Sequence, residues 1–506
     1  MRSTRRRALF ALSVPVLITA VALSGCTSGT NSSSNASKAT LTLGMTQDIT
    51  GWDVSNQPPY QNYPMMAVWD TVIRCDKFGK PLPGLAESWK ISDDQKTLTA
   101  KLRSGQKFSD GTPADSAAVK ATFEFASKNG GGAARYAGIK VDAPDATDVS
   151  ITWPQANPLI VLSTCNVPIT TPKVLASKDF KTPVGSGPYV LDTSHTTQGS
   201  VYSFTKNDAY WDAKTFPYKK LVVKVLGSDT AVLSALKTGQ IDGSLITTST
   251  VNQAKSSGLK LQTLKGETTR LLITDHLGKT IPALGNVDVR RAMNMVFDKK
   301  AVADKLYLGN AEPATQIFRP GSDAYIDGMT DPYPFNVDKA KALMKSAGYE
   351  SGFTLTIPVI QGSGVDKLLP YVTQQLSLIN IKVEQQALSG PNMYAELLSG
   401  KYPVPLWPLG NYGESLEDIN DYVLTTGIWN VSHQPDATID SLWAKINTSS
   451  GDQRKQAEQD INKYISDQAW FVPMAYPDLF FAYRSNINVQ PSSDYAALNP
   501  LLRDFK

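Results

Sequence analysis

The chain has 506 residues, of which 41% are hydrophobic and 19% are charged, with 50 Lys and Arg against 46 Asp and Glu. This is the composition of a globular protein, and its basic residues are dispersed, which argues against a nucleic-acid-binding stripe. Beyond the N-terminal region no apolar run approaches the length of a membrane span. The length exceeds what one ordinary core can organise, so we expect two or three subdomains.

Residues 1–25 have the layout of an export signal. Four arginines lie within residues 1–7, and an apolar run follows from Ala8 to Leu23. The run is short and contains Pro15, which argues against a bilayer-spanning helix. Its end, Leu-Ser-Gly-Cys26, resembles the bacterial lipobox, in which the leader is cut before the cysteine and the cysteine receives lipid such as palmitate. An ordinary signal peptide with an incidental cysteine, or an uncleaved anchor, is the alternative, and the export route stays open.

Residues 26–39 are interpreted as the lipidated cysteine followed by a flexible linker. Ser, Gly and Asn dominate this segment, and they cannot bury enough apolar area to fold. In the rest of the chain the only cysteines are Cys75 and Cys165. In an oxidising compartment these two could form a disulfide, and as buried free thiols they would act as small hydrophobic residues. The sequence leaves both possibilities open.

From Thr40 onward, strand and helix signals alternate, which predicts a mixed α/β fold. The strand signals lie at 40–45, 201–204, 221–226, 353–357 and 381–384. Capping residues and apolar faces predict five helices, which begin at Thr112, at Asp229, after Asp288, at Asn336 and around Tyr371. Gly239 follows the end of the helix that begins at Asp229, and Gly348 ends the helix that begins at Asn336.

The motifs that carry enzyme chemistry are missing from the sequence. Gly185-Ser-Gly187 lacks the spacing of a nucleophile elbow and instead predicts a tight passage of the chain. Gly278-Lys-Thr280 lacks the preceding glycine of a phosphate-binding loop. The histidines, His195, His276 and His433, are far apart and show no zinc spacing. The sequence therefore predicts a protein that is not an enzyme, with no metal and no cofactor.

Four stretches of the body of the chain stand out by their order. They are Leu85-Ala-Glu-Ser-Trp with the following segment to Ser109-Asp-Gly-Thr-Pro113, Val184-Gly-Ser-Gly-Pro-Tyr with the following segment to Asp242, Asn286-Val-Asp-Val-Arg-Arg-Ala-Met with Phe297-Asp298, and Asp338 to Tyr349. Together they span about residues 40–485. In this order they resemble the extracellular solute-binding proteins of family 5, the large peptide- and nickel-type receptors of ABC importers. One such stretch is a weak signal, whereas four in order are specific.

The resemblance implies a two-lobed α/β fold like that of periplasmic binding proteins, of the large type with an extra subdomain in the first lobe. Mapped onto this chain, lobe I comprises residues 40–270 and 480–506, with the extra subdomain at about 60–180, and lobe II comprises residues 271–479. The lobes are expected to close on a ligand and then to contact membrane permease subunits. A lipid anchor would keep this receptor, a monomer, on the outer face of the cytoplasmic membrane, at its periplasmic or extracellular side.

The segment from Trp407 to Asp421 is the expected centre of the ligand site, since it combines aromatic rings, glycines and carboxylates. In the family's peptide binders a similar tryptophan precedes an aspartate-proline loop, whose aspartate holds the amino group of the peptide. This chain has Asn411, Tyr412 and Glu414 there, without that motif. Either Glu414 or Asp418 could supply the missing carboxylate.

Two further tryptophans, Trp52 and Trp429, are candidates for stacking on a ligand, with packing in a core or at a hinge as the alternative for each. The expected ligand-binding residues are thus Trp407, Asn411, Tyr412, Glu414, Asp418, Trp52 and Trp429. An oligopeptide is the leading ligand. An oligosaccharide or another small polar solute is the alternative, as is a sensory or assembly lipoprotein that does not transport.

Overall fold

The computed structural model describes residues 38–49, 51–56, 63–76, 79–130, 133–266, 268–360, 365–388, 396–409, 415–491 and 499–506. The expected signal peptide, Cys26 and the linker up to residue 37 lie outside the described residues, as do Asn411, Tyr412 and Glu414.

The strands of the described residues are β1 (Lys38–Met45), β2 (Ile73–Cys75), β3 (Pro81–Pro83), β4 (Ala86–Ile91), β5 (Thr97–Leu102), β6 (Lys140–Asp142), β7 (Asp148–Thr152), β8 (Tyr189–Leu191), β9 (Val201–Lys206), β10 (Tyr218–Val225), β11 (Gly243–Ile246), β12 (Lys260–Lys265), β13 (Thr268–Leu272), β14 (Ala311–Pro313), β15 (Phe353–Ile360), β16 (Ile381–Leu388), β17 (Leu406–Leu409) and β18 (Phe471–Tyr483).

The α-helices are α1 (Tyr63–Val68), α2 (Ser116–Ala126), α3 (Ile160–Cys165), α4 (Pro172–Ser177), α5 (Asp229–Lys237), α6 (Val251–Ser256), α7 (Val287–Met295), α8 (Lys299–Ala301), α9 (Val337–Ser346), α10 (Leu369–Ser377), α11 (Ser415–Asp418), α12 (Ala437–Asn447) and α13 (Gly451–Asp467). Two π-helical turns, Val302–Leu306 and Ile419–Val423, extend α8 and α11.

Local capping signals account for several helix boundaries. The side chain of Asn336 accepts a hydrogen bond from the Lys339 N–H at 2.8 Å, which starts α9, and Gly348 follows its end with a φ of +82°. Helix α5 has the bounds that the sequence predicts, with the Ser228 hydroxyl accepting from the Ala231 N–H at 3.2 Å. These caps satisfy backbone N–H groups that have no partner inside the helix.

Several predicted boundaries differ from those of the structure, and two of the differences have a local explanation. Helix α2 begins at Ser116 with Asp115 as its cap, and not at Thr112, because the Thr112 hydroxyl and N–H both donate to the Asp110 side chain in a preceding turn. Strand β1 begins at Lys38, so the last two residues assigned to the linker belong to the sheet, where Lys38 pairs with Tyr218.

One long strand, β18, joins two groups of strands. Its first part, up to Pro477, pairs with β13 and β14, and its second part, from Asp478, pairs with β11 and β12. The chain makes the same change between β12 and β13 at Gly266, whose N–H donates to the Pro477 carbonyl at 2.8 Å. Two extended segments therefore cross side by side from one group of strands to the other.

On each side of this crossing the strands carry their own core. The first group runs in the order β11-β1-β10-β9-β8, with β1 parallel to β10, and buries Leu43, Phe204 and Leu221. The second contains β17-β13-β18 and the parallel pair β15–β16, with Met293 and Leu355 in its core. The protein thus has the two-lobed α/β fold. The lobe boundaries at 270/271 and 479/480 stay predictions, and the change of strand partners lies a few residues from each.

The subdomain between β1 and β8 has an antiparallel sheet in the order β4-β5-β7-β6, a hairpin of β2 and β3, and helices α2 to α4. Cys75 of β2 and Cys165 of α3 are joined by a disulfide, and their exposed fractions are 4% and 2%. Of the two possibilities that the sequence left open, the structure has the paired one. The tight passage at Gly185 lies against α1, since a Cβ on this residue would come within 1.8 Å of the Val68 carbonyl oxygen.

Candidate ligand site between the lobes

A charged contact links the subdomain to the second lobe. Arg135 lies in a 3-10 turn, Ala133–Tyr136, and its Nη1 is 3.0 Å from Oε1 of Glu417, while its Nη2 is 3.4 Å from Oδ1 of Asp421. Trp153 donates from its indole N–H to the Arg135 carbonyl at 3.1 Å, and this holds the backbone of the turn in place. One guanidinium therefore bridges two carboxylates that belong to the other lobe.

The carboxylates come from consecutive helical turns at the C-terminal side of the predicted ligand segment. Glu417 and Asp418 end α11, and Asp421 lies in the π-helical turn that follows. Ser415, the first residue of α11, donates from its hydroxyl to the buried carboxylate of Glu458 and accepts from the Ala324 N–H, the latter at 3.0 Å. These bonds attach the start of α11 to α13 and fix where its acidic side chains lie.

Burial dominates the electrostatics of this acidic segment. It raises the pKa of Asp421 to about 6, although Arg135 lowers that pKa and Glu417 raises it further. Burial also raises the pKa of Asp418 well above its ordinary value, against the effect of Arg270. For Arg135 burial lowers the pKa, but the charges of Glu417 and Asp421 outweigh this and raise it. The acids are thus costly to bury, and Arg135 offsets part of that cost.

A second arginine lies beneath the same acids. Arg270 of β13 is fully buried, its guanidinium carbon is 4.6 Å from the ring centroid of Tyr422, and its Nη1 donates to the Ile317 carbonyl at 3.3 Å. In the antiparallel pairing of β13 with β17, Arg270 is opposite Trp407. Cross-strand partners share a face of the sheet, so the arginine and the indole lie side by side.

Two indoles form the apolar part of the site. Trp407 and Trp429 are stacked, with ring centroids 5.4 Å apart and an interplanar angle of 29°. Leu388, Leu397 and Tyr402 pack behind them. The backbone N–H of Trp429 donates to the backbone carbonyl of Asp421 at 2.9 Å, which connects the stacked pair to the acidic segment. The arrangement offers a ligand aromatic surface on one side and buried charges on the other.

The structure brings together three of the residues that the sequence indicated, namely Trp407, Trp429 and Asp418. It does not bring Trp52 to them. Trp52 is 3% exposed and packs edge-on against Trp69 and Tyr202, at centroid distances of 5.8 and 5.9 Å, in the core of the first lobe. We therefore correct the expected role of Trp52 from ligand stacking to packing.

Four residues of the site were not singled out from the sequence, namely Arg135, Arg270, Glu417 and Asp421, although the two acids lie within the segment that was expected to form its centre. The two acids had a usable signal, because an i,i+4 spacing puts them on one helical face. The arginines had none. Arg135 and Glu417 are 282 residues apart in the chain, and Arg135 belongs to a segment without any recognisable motif.

In the described parts of the chain no three His, Cys, Asp or Glu side chains come together in a group that could hold a metal ion. None of the helices described is long and apolar enough to cross a membrane.

Comparison with known proteins finds similar binding proteins. The glutathione-binding protein GsiB of Shigella boydii serotype 4 is 31% identical over 328 residues, which are 62% of this chain and 62% of GsiB. The match thus spans less than two thirds of the length of this curated relative.

Solved structures extend the similarity over most of the chain. The binding protein AgaA of A. tumefaciens R10, in complex with agropinic acid, superposes with a TM-score of 0.81 at 22% identity, over 92% of this chain and 98% of AgaA. DppA of Helicobacter pylori, in complex with the peptide STSA, superposes with a TM-score of 0.79 at 21% identity, over 93% and 98%. At these identities the likeness establishes the fold.

The family assignment follows from the sequence itself. Residues 80–430, more than half of the chain, match the description "Bacterial extracellular solute-binding proteins, family 5 Middle". The protein belongs to the bacterial extracellular solute-binding proteins of family 5, which are binding proteins and not enzymes.

Proposed function

We propose that this protein is the substrate-binding lipoprotein of an ABC importer, which captures an oligopeptide between its two lobes and delivers it to membrane permease subunits. The observation that carries the proposal is the bridge from Arg135 of the subdomain to Glu417 and Asp421 of the second lobe. A buried charged contact of this kind, between two lobes joined by extended strands, fits a receptor that closes on its ligand.

Closure works by differential binding. When the lobes separate, Arg135 and the two carboxylates return to water, where each charge is hydrated. A ligand that contacts both lobes binds the closed form better than the open form and shifts the population towards closure. The ion pairs then define how the lobes meet, and the ligand supplies the free energy that keeps them together.

The chemistry of the site supports a peptide. Asp418 is 2% exposed, and among the described residues its Oδ1 atom accepts no hydrogen bond. A ligand's ammonium group beside it would favour the ionised carboxylate, which burial alone disfavours, and would donate to that oxygen. The stacked indoles Trp407 and Trp429 offer apolar surface to side chains. We retain Asn411, Tyr412 and Glu414 as proposed ligand contacts because they directly precede α11. The names of two of the similar proteins, GsiB and DppA, mention glutathione and a peptide and agree with this choice, whereas AgaA was solved with agropinic acid.

The location of the protein at the cell surface is also part of the proposal. Export by residues 1–25 and lipidation of Cys26 would hold a monomer on the outer face of the cytoplasmic membrane, with a short linker before β1. Replacing Cys26 with Ala should move the protein from the membrane fraction to the soluble fraction of lysed cells. A Cys26→Ala protein that stays with the membrane would contradict the lipid anchor.

Native mass spectrometry of the mature protein, purified without refolding, tests the ligand. We expect copurified masses that fragment as peptides. In parallel, peptide mixtures should raise the melting temperature, since a ligand present at 100 times its Kd stabilises the folded state by about 2.7 kcal/mol. Copurified sugars, or stabilisation by oligosaccharides alone, would refute the peptide assignment but leave a solute receptor. The absence of any ligand response would favour a role other than transport.

A further inference from the structure

A cavity of about 470 Å³ adjoins the charged bridge. It lies between residues 153–159 of the subdomain, which follow β7, and residues 420–447 of the second lobe. Three indoles line it, those of Trp153, Trp429 and Trp443. The volume is within the range of small-molecule sites in proteins, about 300–1,000 Å³.

The walls of this cavity are mainly apolar and its charges are already paired. Pro158, Leu159 and Ile428 lie beside the indoles, and the only charged side chains in its lining, Arg135 and Asp421, are 3.4 Å from each other. A charged ligand group would have to displace that pair, which is costly in a buried setting. The cavity therefore favours an uncharged occupant with a large apolar surface.

Side-chain amides supply the remaining polar groups. Gln155, Asn157, Asn420 and Asn447 lie in the lining. Asn157 Oδ1 already accepts from the Leu159 N–H and Asn420 Nδ2 donates to Asp421, whereas the buried Oδ1 of Asn447 has no hydrogen-bond partner among the described residues. An amide both donates and accepts, so the amide atoms that are not engaged can hydrogen-bond an uncharged ligand group.

The cavity adjoins the proposed ligand site and shares residues with it. Trp429 lines the cavity and stacks on Trp407, and its backbone N–H donates to the backbone carbonyl of Asp421. Trp153 holds the Arg135 turn through its indole N–H. A ligand that lies along Trp407 can therefore extend a side chain past Trp429 into the cavity.

We propose that this cavity is a side-chain subsite that selects peptides carrying an aromatic or large aliphatic residue. This inference rests on the proposed peptide-binding function and adds to it a preference at one position. Burying a Phe or Leu side chain is worth about 1.5–3 kcal/mol, so the preferred peptide should bind roughly 10- to 100-fold more tightly than its alanine analogue.

Calorimetric titration of tetrapeptides tests the subsite. The set has tetra-alanine as the reference, four peptides with one Phe at each position in turn, and four with one Glu. We expect one Phe peptide to bind at least 10-fold more tightly than tetra-alanine, and the Glu peptide of the same position to show no gain. Ile428→Asp, which puts a charge at the cavity, should reduce the Phe preference at least 5-fold. Leu378→Asp is the matched control, because Leu378 is 36% exposed and Ile428 is 38% exposed, and it should retain the preference.

The possible failures are distinguishable. Equal binding of all the tetrapeptides to the unaltered protein, or a Phe preference that survives Ile428→Asp, would overturn the subsite and leave the peptide receptor in place. Binding of maltotriose with no binding of any tetrapeptide would overturn the peptide function and the subsite together. Circular dichroism of both variants checks that each is folded.

Discussion

The guanidinium of Arg135 is the clearest functional group of this protein. It contacts two carboxylates of the other lobe, and its side chain is 20% exposed against 6% for Glu417 and 14% for Asp421. At this burial, loss of the cation leaves two carboxylates poorly solvated in the closed form, whereas in the open form water would solvate them. The residue should therefore matter for closure more than for folding.

We predict that Arg135→Ala weakens ligand binding by about 2 kcal/mol, roughly 30-fold in Kd, with a small change in melting temperature. Isothermal titration with the copurified ligand measures the first quantity and calorimetry the second. The matched control is Arg291→Ala, because Arg291 pairs with Asp288 at 3.1 Å with both side chains more than a third exposed. That variant should bind normally. Equal losses in both variants would remove Arg135 from the site.

Secondary-structure elements are held in place by a few long-range connections. The Cys75–Cys165 disulfide ties β2 to α3 across a sequence separation of 90 residues. The passage at Gly185 ties the entry of β8 to α1, with no room for a Cβ beside Val68. Both features stabilise the first lobe and its subdomain, and neither touches the charged site.

Replacing both Cys75 and Cys165 with Ser should lower the free energy of unfolding by about 3–5 kcal/mol. The physical reason is that the bond closes a loop of roughly 90 residues in the unfolded chain, which costs that chain entropy. Denaturant titration measures the change, and the unaltered protein should show a similar loss when it is unfolded in a reducing agent. Equal stability with and without reductant would contradict the prediction.

Gly185→Ala should destabilise the first lobe by more than about 3 kcal/mol or prevent folding, because its Cβ would overlap the Val68 carbonyl. Gly258→Ala is the control. Gly258 has a φ of +77° but no atom within 4 Å of an added Cβ, so only backbone strain of about 1 kcal/mol is expected. Thermal unfolding of the two variants compares a steric clash with strain. A smaller effect at Gly185 would mean that α1 can move away.

The stability of the whole protein should depend on pH, because several buried acids of the second lobe have raised pKa values. Burial raises the pKa of Glu458 to about 7 despite the Ser415 hydrogen bond, and that of Asp421 to about 6. When the pKa of an acid is higher in the folded state than in the unfolded state, the folded protein binds more protons at pH values between these two pKa values. This stabilisation is complete below the unfolded pKa of about 4.3 and is lost as the pH rises through about 7.

We therefore predict that the contribution of Glu458 makes the protein less stable at pH 8 than at pH 5, by on the order of 3 kcal/mol. Glu458→Gln replaces the carboxyl with a neutral group of the same shape and should flatten this pH dependence. Urea unfolding between pH 5 and pH 8 measures both proteins. A variant whose pH profile matches that of the unaltered protein would show that Glu458 is ionised without cost.

Much of the architecture follows from short-range signals. The caps at Asn336 and Ser228 act within three residues, and the strand patterns depend on alternation along a few residues, so the α/β class and elements such as α5, α9 and β9 were predictable. The four ordered motifs indicated the family, and the match over residues 80–430 confirms it. The miss at Thr112 has the same local origin, because Asp110 competed for the hydroxyl that would have capped a helix.

The candidate site, unlike the helices and strands, depends on contacts between segments that are far apart in the sequence. Trp407 and Asp418 were found because they lie in an unusual segment, but the stack of Trp407 on Trp429 and the burial of Trp52 depend on how distant segments pack. The bridge from Arg135 to Glu417 spans 282 residues and exists only where the subdomain meets the second lobe. Local patterns were enough to predict the α/β class, since they depend on near neighbours, and the four ordered motifs indicated the family through their resemblance to its members. Which charges share the cleft was decided by the packing of the lobes, because burial and pairing are properties of the folded whole.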